Sequence, residues 1–179
     1  MTSTYLEPSP CNLGVKQISD IAAWFSKEYR FEPGADWREP IEAIGGKINY
    51  ESFWDLKDTD SGSIQVEPDG SFVISLPDHT SALRDRFTIG HELGHFVLHY
   101  ALRKSKNEID GNTGLKAKRF GKGQTENEAN WFSAALLMPG DEFTAAYTQE
   151  NKDIERVADR FRVSTAAAAV RVKVLGLGE

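Results

Sequence analysis

The chain has 179 residues, 40% hydrophobic and 11% aromatic, with a formal net charge of −6 and a pI near 5.3. That length carries one domain with a real core and is short for two, and the composition excludes a chain disordered throughout. The negative balance argues against nucleic acid as the main ligand, because such binding draws on cationic contacts to phosphate.

Residues 1–14 read as a flexible lead-in and 15–179 as a single domain, with a C-terminal helical part over about 150–177. The lead-in holds Cys11, the one cysteine, so no intramolecular disulfide can form, which fits a reducing compartment. It has no apolar core of signal-peptide type, and no run approaches the roughly 18–20 apolar residues of a membrane span. The expectation is a cytoplasmic protein without a membrane segment. Val15, Ile18, Ile21, Ala22 and Phe25 recur at helical spacing and predict a helix from Val15 to Phe31. A short helix follows over Glu39–Ile44, stopped by Gly45-Gly46, and Lys47–Tyr50 reads as a strand.

Ser63–Val66 and Ser71–Leu76 are β-prone runs joined by Glu67-Pro68-Asp69-Gly70, a hairpin signal. The hairpin could offer an edge strand to an extended peptide. Thr80 or Ser81 can cap a long, largely buried helix from about Ser81 to Leu102. Residues 103–123 read as a polar, glycine-bearing loop. It carries Arg103, Lys104, Lys106, Lys116, Lys118, Arg119 and Lys122 against Glu108 and Asp110, a run expected to be solvated. A second apolar helix spans about Thr125–Met138. A helix ending near Phe161 and another from Ser164 to Gly176 complete an α+β reading: a short sheet with a hairpin packed on a long helix, and further helices. Direct nucleic-acid binding by the last two helices is not expected, since helical hairpins are common packing units.

The long helix contains His91-Glu92-Leu93-Gly94-His95, an HExxH pattern. Residues four apart on a helix sit about 40° apart around its axis and roughly 6 Å along it. Two imidazoles so spaced can reach one tetrahedral zinc, and Glu92 projects beside it, placed to take a proton from water. One zinc per chain is expected, and manganese could use the same ligands. Gly94, costly inside a helix, points to a close approach by another element.

A third protein ligand is needed. His99 would lie roughly 12 Å along a straight helix from His91, too far to share an ion, and is read as a group supporting the ligands. Glu126 and Glu128 are the other candidates. Glu126 is favoured, because it shares a face with Ala129, Asn130, Ser133 and Leu137, small enough for a close helix approach; Glu128 points roughly the other way, with Trp131 and Ala135. Asn130 could hydrogen-bond a ligand histidine. Tyr50, Tyr100, Tyr147 and Arg171 stand equal as candidates to stabilise an oxyanion.

Two blocks, Arg86-Phe87-Thr88-Ile89-Gly90-His91-Glu92-Leu93-Gly94-His95-Phe96-Val97-Leu98-His99 and Glu126-Asn127-Glu128-Ala129-Asn130-Trp131-Phe132-Ser133-Ala134-Ala135-Leu136-Leu137-Met138-Pro139, resemble the ImmA/IrrE family of metallopeptidases. The similarity covers about Ile18 to Leu177, with a loop at Arg103–Lys122 that is long for the family. The resemblance implies a gluzincin-like zinc site with His91, His95 and Glu126 as ligands and Glu92 as catalytic base. It further implies an endopeptidase acting on a helix-turn-helix repressor of mobile elements or stress responses. No added helix-turn-helix domain is visible, so that repressor is expected to be a separately encoded protein. Two alternatives remain: a metal-stabilised regulatory binding protein, and a toxin of a toxin–antitoxin pair acting without proteolysis.

Overall fold

Ile18, Ala22 and Phe25, spaced by four and three residues, form the buried stripe of the first helix, α1 (Val15–Tyr29), which packs against α5 (Gln124–Leu137). Arg30 ends α1 in the left-handed conformation, at φ 59°. This is a computed structural model of the chain, and it describes residues 4–52, 63–118 and 123–178, except for the Lys118 side chain. The remaining elements are β1 (Thr4–Leu6), α2 (Arg38–Ala43), β2 (Gly46–Glu51), β3 (Ser63–Val66), β4 (Phe72–Pro77) and α3 (Ala82–Gly94). A π-helical segment (His95–Ala101) continues α3 into α4 (Leu102–Ser105). Then come β5 (Thr113–Lys118), α6 (Gly140–Gln149), α7 (Ile154–Phe161) and α8 (Thr165–Val174).

The five strands form one mixed sheet in the order β1-β5-β3-β4-β2, an α+β architecture. The β3–β4 pair is antiparallel, closed by Gly70 at φ 92° and by the Asp69 carboxylate accepting from the Ser71 N–H at 2.9 Å. The expected hairpin is therefore present, but it does not lie at an edge. β3 runs between β5 and β4, and β4 between β3 and β2, so among the described residues the sheet ends at β1 and β2.

β5 corrects the reading of 103–123 as loop throughout. Leu115 and Ala117 alternate with exposed Lys116 and are buried, and the strand pairs antiparallel with β3 and parallel with β1. Gly114 lets the backbones meet, since a Cβ there would lie 2.3 Å from the Val66 carbonyl oxygen. The basic run is thereby divided. Arg103 pairs with Glu108, Lys104 and Lys116 lie over the Tyr100 and Tyr5 rings, and Arg119 and Lys122 fall outside the described residues. β1 likewise sits in the stretch expected as a loose lead-in; parallel pairing with β5, distant in sequence, holds it. α6 was not expected either. Pro139 ends α5, yet it also supplies the carbonyl that accepts from Phe143 N–H and opens α6, with Phe143 and Ala146 turned inward.

Ser81 caps α3, its hydroxyl accepting from the Arg84 N–H at 3.3 Å. The long helix predicted to run straight to Leu102 instead widens to π geometry at His95. α3 and α5 share the most extensive helix–helix packing among the described residues, and glycines make the approach. A Cβ on Gly90 would meet Ser133 Oγ at 2.6 Å; one on Gly94 would meet Ala129 Cα at 2.9 Å and its carbonyl oxygen at 3.1 Å. The close neighbour of Gly94 is thus α5. Gly94→Ala gains about 1 kcal/mol of helix propensity but forces backbone apart, an overpacking cost of about 1–3 kcal/mol. Denaturant unfolding is expected to show a net loss of up to about 2 kcal/mol; a gain in stability would mean α5 does not lie where described.

Candidate metal centre

His91, on the last turn of α3, and His95, opening the π segment, are each 1% exposed. Their Nε2 atoms lie 3.1 Å apart. Glu126, on the first turn of α5, brings Oε2 to 3.1 Å from His91 Nε2 and Oε1 to 3.3 Å from His95 Nε2. Two ligands at zinc–nitrogen distance and tetrahedral angle are separated by about 3.3 Å. The triangle of donors therefore already has the size of one face of a tetrahedral ion site, and among the described residues these three side chains form a group able to hold a metal ion.

The outer nitrogens support the same reading. His91 Nδ1 lies 2.8 Å from Asn130 Oδ1, an acceptor, so the ring proton sits on Nδ1 and the Nε2 lone pair faces the centre. His95 Nδ1 lies 2.9 Å from His99 Nδ1, and His99 Nε2 lies 2.9 Å from Glu128 Oε2. Lone pairs of His91, His95 and a carboxylate thus converge in a largely buried site, an arrangement that a divalent cation stabilises. The donor set fits the metal that the chemistry implies. Burial alone would push the Glu126 carboxyl up; hydrogen bonds and charge from His91 and His95 outweigh it and hold the group down at about 2. Burial pushes His95 down, opposed by Glu126. Burial also pushes His99 down to about 4, against the pull of Glu128. Both of these rings are neutral at pH 7.

This fixes the sign of an acid effect on the metal-free protein. His99 takes a proton near 6.5 in the unfolded chain and near 4 in the fold. Within that window the unfolded chain binds more protons, so a contribution on the order of 3 kcal/mol is present above the window and lost as pH falls through it. Glu126 extends the loss below its ordinary value of 4.5. Metal-free protein is expected to unfold at a lower denaturant concentration at pH 5 than at pH 7.5. An unchanged midpoint would mean His99 is charged in the fold.

Five of the six candidate residues from the sequence come together. His91, His95 and Glu126 converge, Asn130 touches His91, and His99 touches His95. Glu92, 1% exposed, follows His91 on α3. Glu128 is the residue the sequence reading misplaced. It is 0% exposed, bonded to His99 and to the backbone N–H groups of Cys11 and Asn12, both at 2.9 Å. Two oxyanion candidates are committed elsewhere. The Tyr100 hydroxyl donates to the Glu67 carbonyl oxygen at 3.0 Å, and Arg171 Nε to that of Met138 at 2.9 Å.

The peptidase family model described as "IrrE N-terminal-like domain" matches residues 44–173, a span that holds all six site residues. Among solved structures the chain is similar to a Mycobacterium tuberculosis transcriptional regulator, with TM-score 0.60 and 20% identity, over 88% of this chain and 46% of that one. The likeness is one of fold, and the chain spans under half the length of that regulator. No curated protein matches the chain.

Proposed function

The chain belongs to the peptidase family of IrrE N-terminal-like domains, and from that premise we propose that it is a zinc-dependent endopeptidase cutting one specific protein partner. The observation that carries the proposal is the convergence of His91 Nε2, His95 Nε2 and both Glu126 oxygens at 3.1–3.3 Å, one residue from a buried glutamate. His91, His95 and Glu126 would hold the ion, and three protein ligands leave a position for water, as a hydrolytic site requires and a purely structural one does not. Two nitrogens and one carboxylate favour zinc, with manganese as the nearest substitute. When bound, the ion supplies Lewis acidity to the attacking water and the scissile carbonyl.

The protein does the rest. Glu92 takes the proton from the attacking water on its carboxylate and returns it to the amide nitrogen as that nitrogen leaves. Asn130 and His99 hold the two imidazoles in the tautomer that turns Nε2 inward. The partner we assign is a separately encoded helix-turn-helix repressor, acted on in the cytoplasm. The family resemblance supports it, and so does the name of the similar fold, a transcriptional regulator. No helix among the described residues is long and apolar enough to cross a membrane.

The test is a mass-spectrometric survey of new protein N-termini in host cells expressing the wild type or Glu92→Gln. A few new termini confined to the wild type are expected, and they name the substrate and the bond cut. Identical profiles from two folded, metal-loaded proteins would remove the protease reading. Termini in a protein other than a repressor would overturn only the partner.

A further inference from the structure

The described residues hold a second cluster of metal-type donors: Cys11, His99 and Glu128, whose ligand atoms lie within 4.8 Å of one another. Counting protons decides what it does. The first centre needs the His95 Nε2 lone pair, so the neutral ring carries its proton on Nδ1. His99 Nδ1, 2.9 Å away, must then accept, which puts the His99 proton on Nε2. That proton meets Glu128 Oε2 at 2.9 Å. A cation on the second cluster would claim the same His99 nitrogen and drive the proton back to Nδ1, against the one on His95. Both clusters could be loaded together only if one imidazole gave up its last proton.

Glu128 gives an independent reason. A carboxylate offers about four lone-pair sites. Here Oε1 accepts from Asn12 N–H at 2.9 Å and Gln124 Nε2 at 3.2 Å, and Oε2 from Cys11 N–H and His99 Nε2, each at 2.9 Å. Protein donors fill all four.

We propose that Cys11, His99 and Glu128 do not form a second ion site: Glu128 and His99 are a buried relay of positioning residues that fixes the tautomer and aim of His95, anchored by the backbone just before α1. The proposal rests on the reading that His91, His95 and Glu126 hold a divalent ion. Through the relay, residues 11 and 12 become part of the support of the metal centre. Loss of the acceptor leaves the buried His95 Nδ1–H without its partner, and loss of such a supporting group lowers metal affinity by roughly 10- to 100-fold.

The experiment uses the full chain. Cobalt titration is expected to give one ion per chain, with no sulfur-to-cobalt charge-transfer band and no change in Cys11→Ser. His99→Phe is expected to bind zinc roughly 10- to 100-fold more weakly, with partial recovery in His99→Gln, which restores an acceptor. Nitrogen NMR of the zinc-loaded wild type needs no variant to fold and is expected to find the proton of His95 on Nδ1 and that of His99 on Nε2. Two ions per chain, a thiolate band, or a His99 proton on Nδ1 would overturn the relay while leaving the first centre standing. A chain that binds no divalent ion would overturn the first centre, and the relay with it.

Discussion

Glu126→Ala is expected to lose divalent-ion affinity by more than about 100-fold, since removing a mere supporting group already costs roughly 10- to 100-fold. Truncation removes one of three donors and leaves two imidazoles, a set too small for a stable protein zinc site. Glu126 suits the test better than either histidine. It is 15% exposed and sits on the first turn of α5, so its loss opens no core cavity, whereas His91 and His95 are packed at 1%. Calorimetric titration of the metal-free variant with zinc, beside far-ultraviolet dichroism to check the fold, provides the reading. Wild-type affinity in a folded variant would sink the ligand assignment. A Glu128→Ala protein does not substitute for it, because that residue accepts from four donors, the buried His99 ring among them, and its loss disturbs the support of His95 together with the backbone at residues 11 and 12.

The candidate metal centre was legible in the sequence because helical geometry converts spacing into position. His91 and His95 four apart, and Glu126 on the same face as Ala129 and Ser133, needed only the premise that two helices meet. Gly90 and Gly94 make that meeting close. What the sequence hid depends on contacts that no local period encodes. Glu128 read as the less favoured third ligand, pointing away from the site with Trp131 and Ala135. It is buried because its partners come from residues 11 and 12, more than a hundred positions away. β5 escaped for a similar reason. Thr113–Lys118 is short, with one glycine and two lysines, and its strand character comes from neighbours on both sides. Leu115 and Ala117 did carry a two-residue alternation that could have exposed it. The widening at His95 left no mark in the sequence. His99 was set aside as a ligand on straight-helix geometry; in the π segment it instead turns to Glu128.

Glu92→Gln carries the second large effect: turnover is expected to fall by about 100- to 10,000-fold, the usual contribution of a positioned general base, while zinc affinity stays within a few-fold of wild type. The amide has the shape of the carboxylate but cannot accept a proton from water or hand one to the leaving amine. Shape matters at this position, because the side chain is 1% exposed and a smaller residue would leave a cavity beside His91. The split between binding and turnover separates this residue from its neighbours. Glu126→Ala should lose the ion and the activity together, and His99→Phe should weaken ion binding first, with activity returning as zinc is raised. Only Glu92→Gln should bind the ion and stay slow at saturating zinc. The measurement is single-turnover cleavage of the partner named by the N-terminal survey, with zinc content determined on the same samples. A variant that keeps its zinc and cleaves at the wild-type rate would mean the proton from the attacking water goes elsewhere, and Glu92 would then be a packing residue of α3.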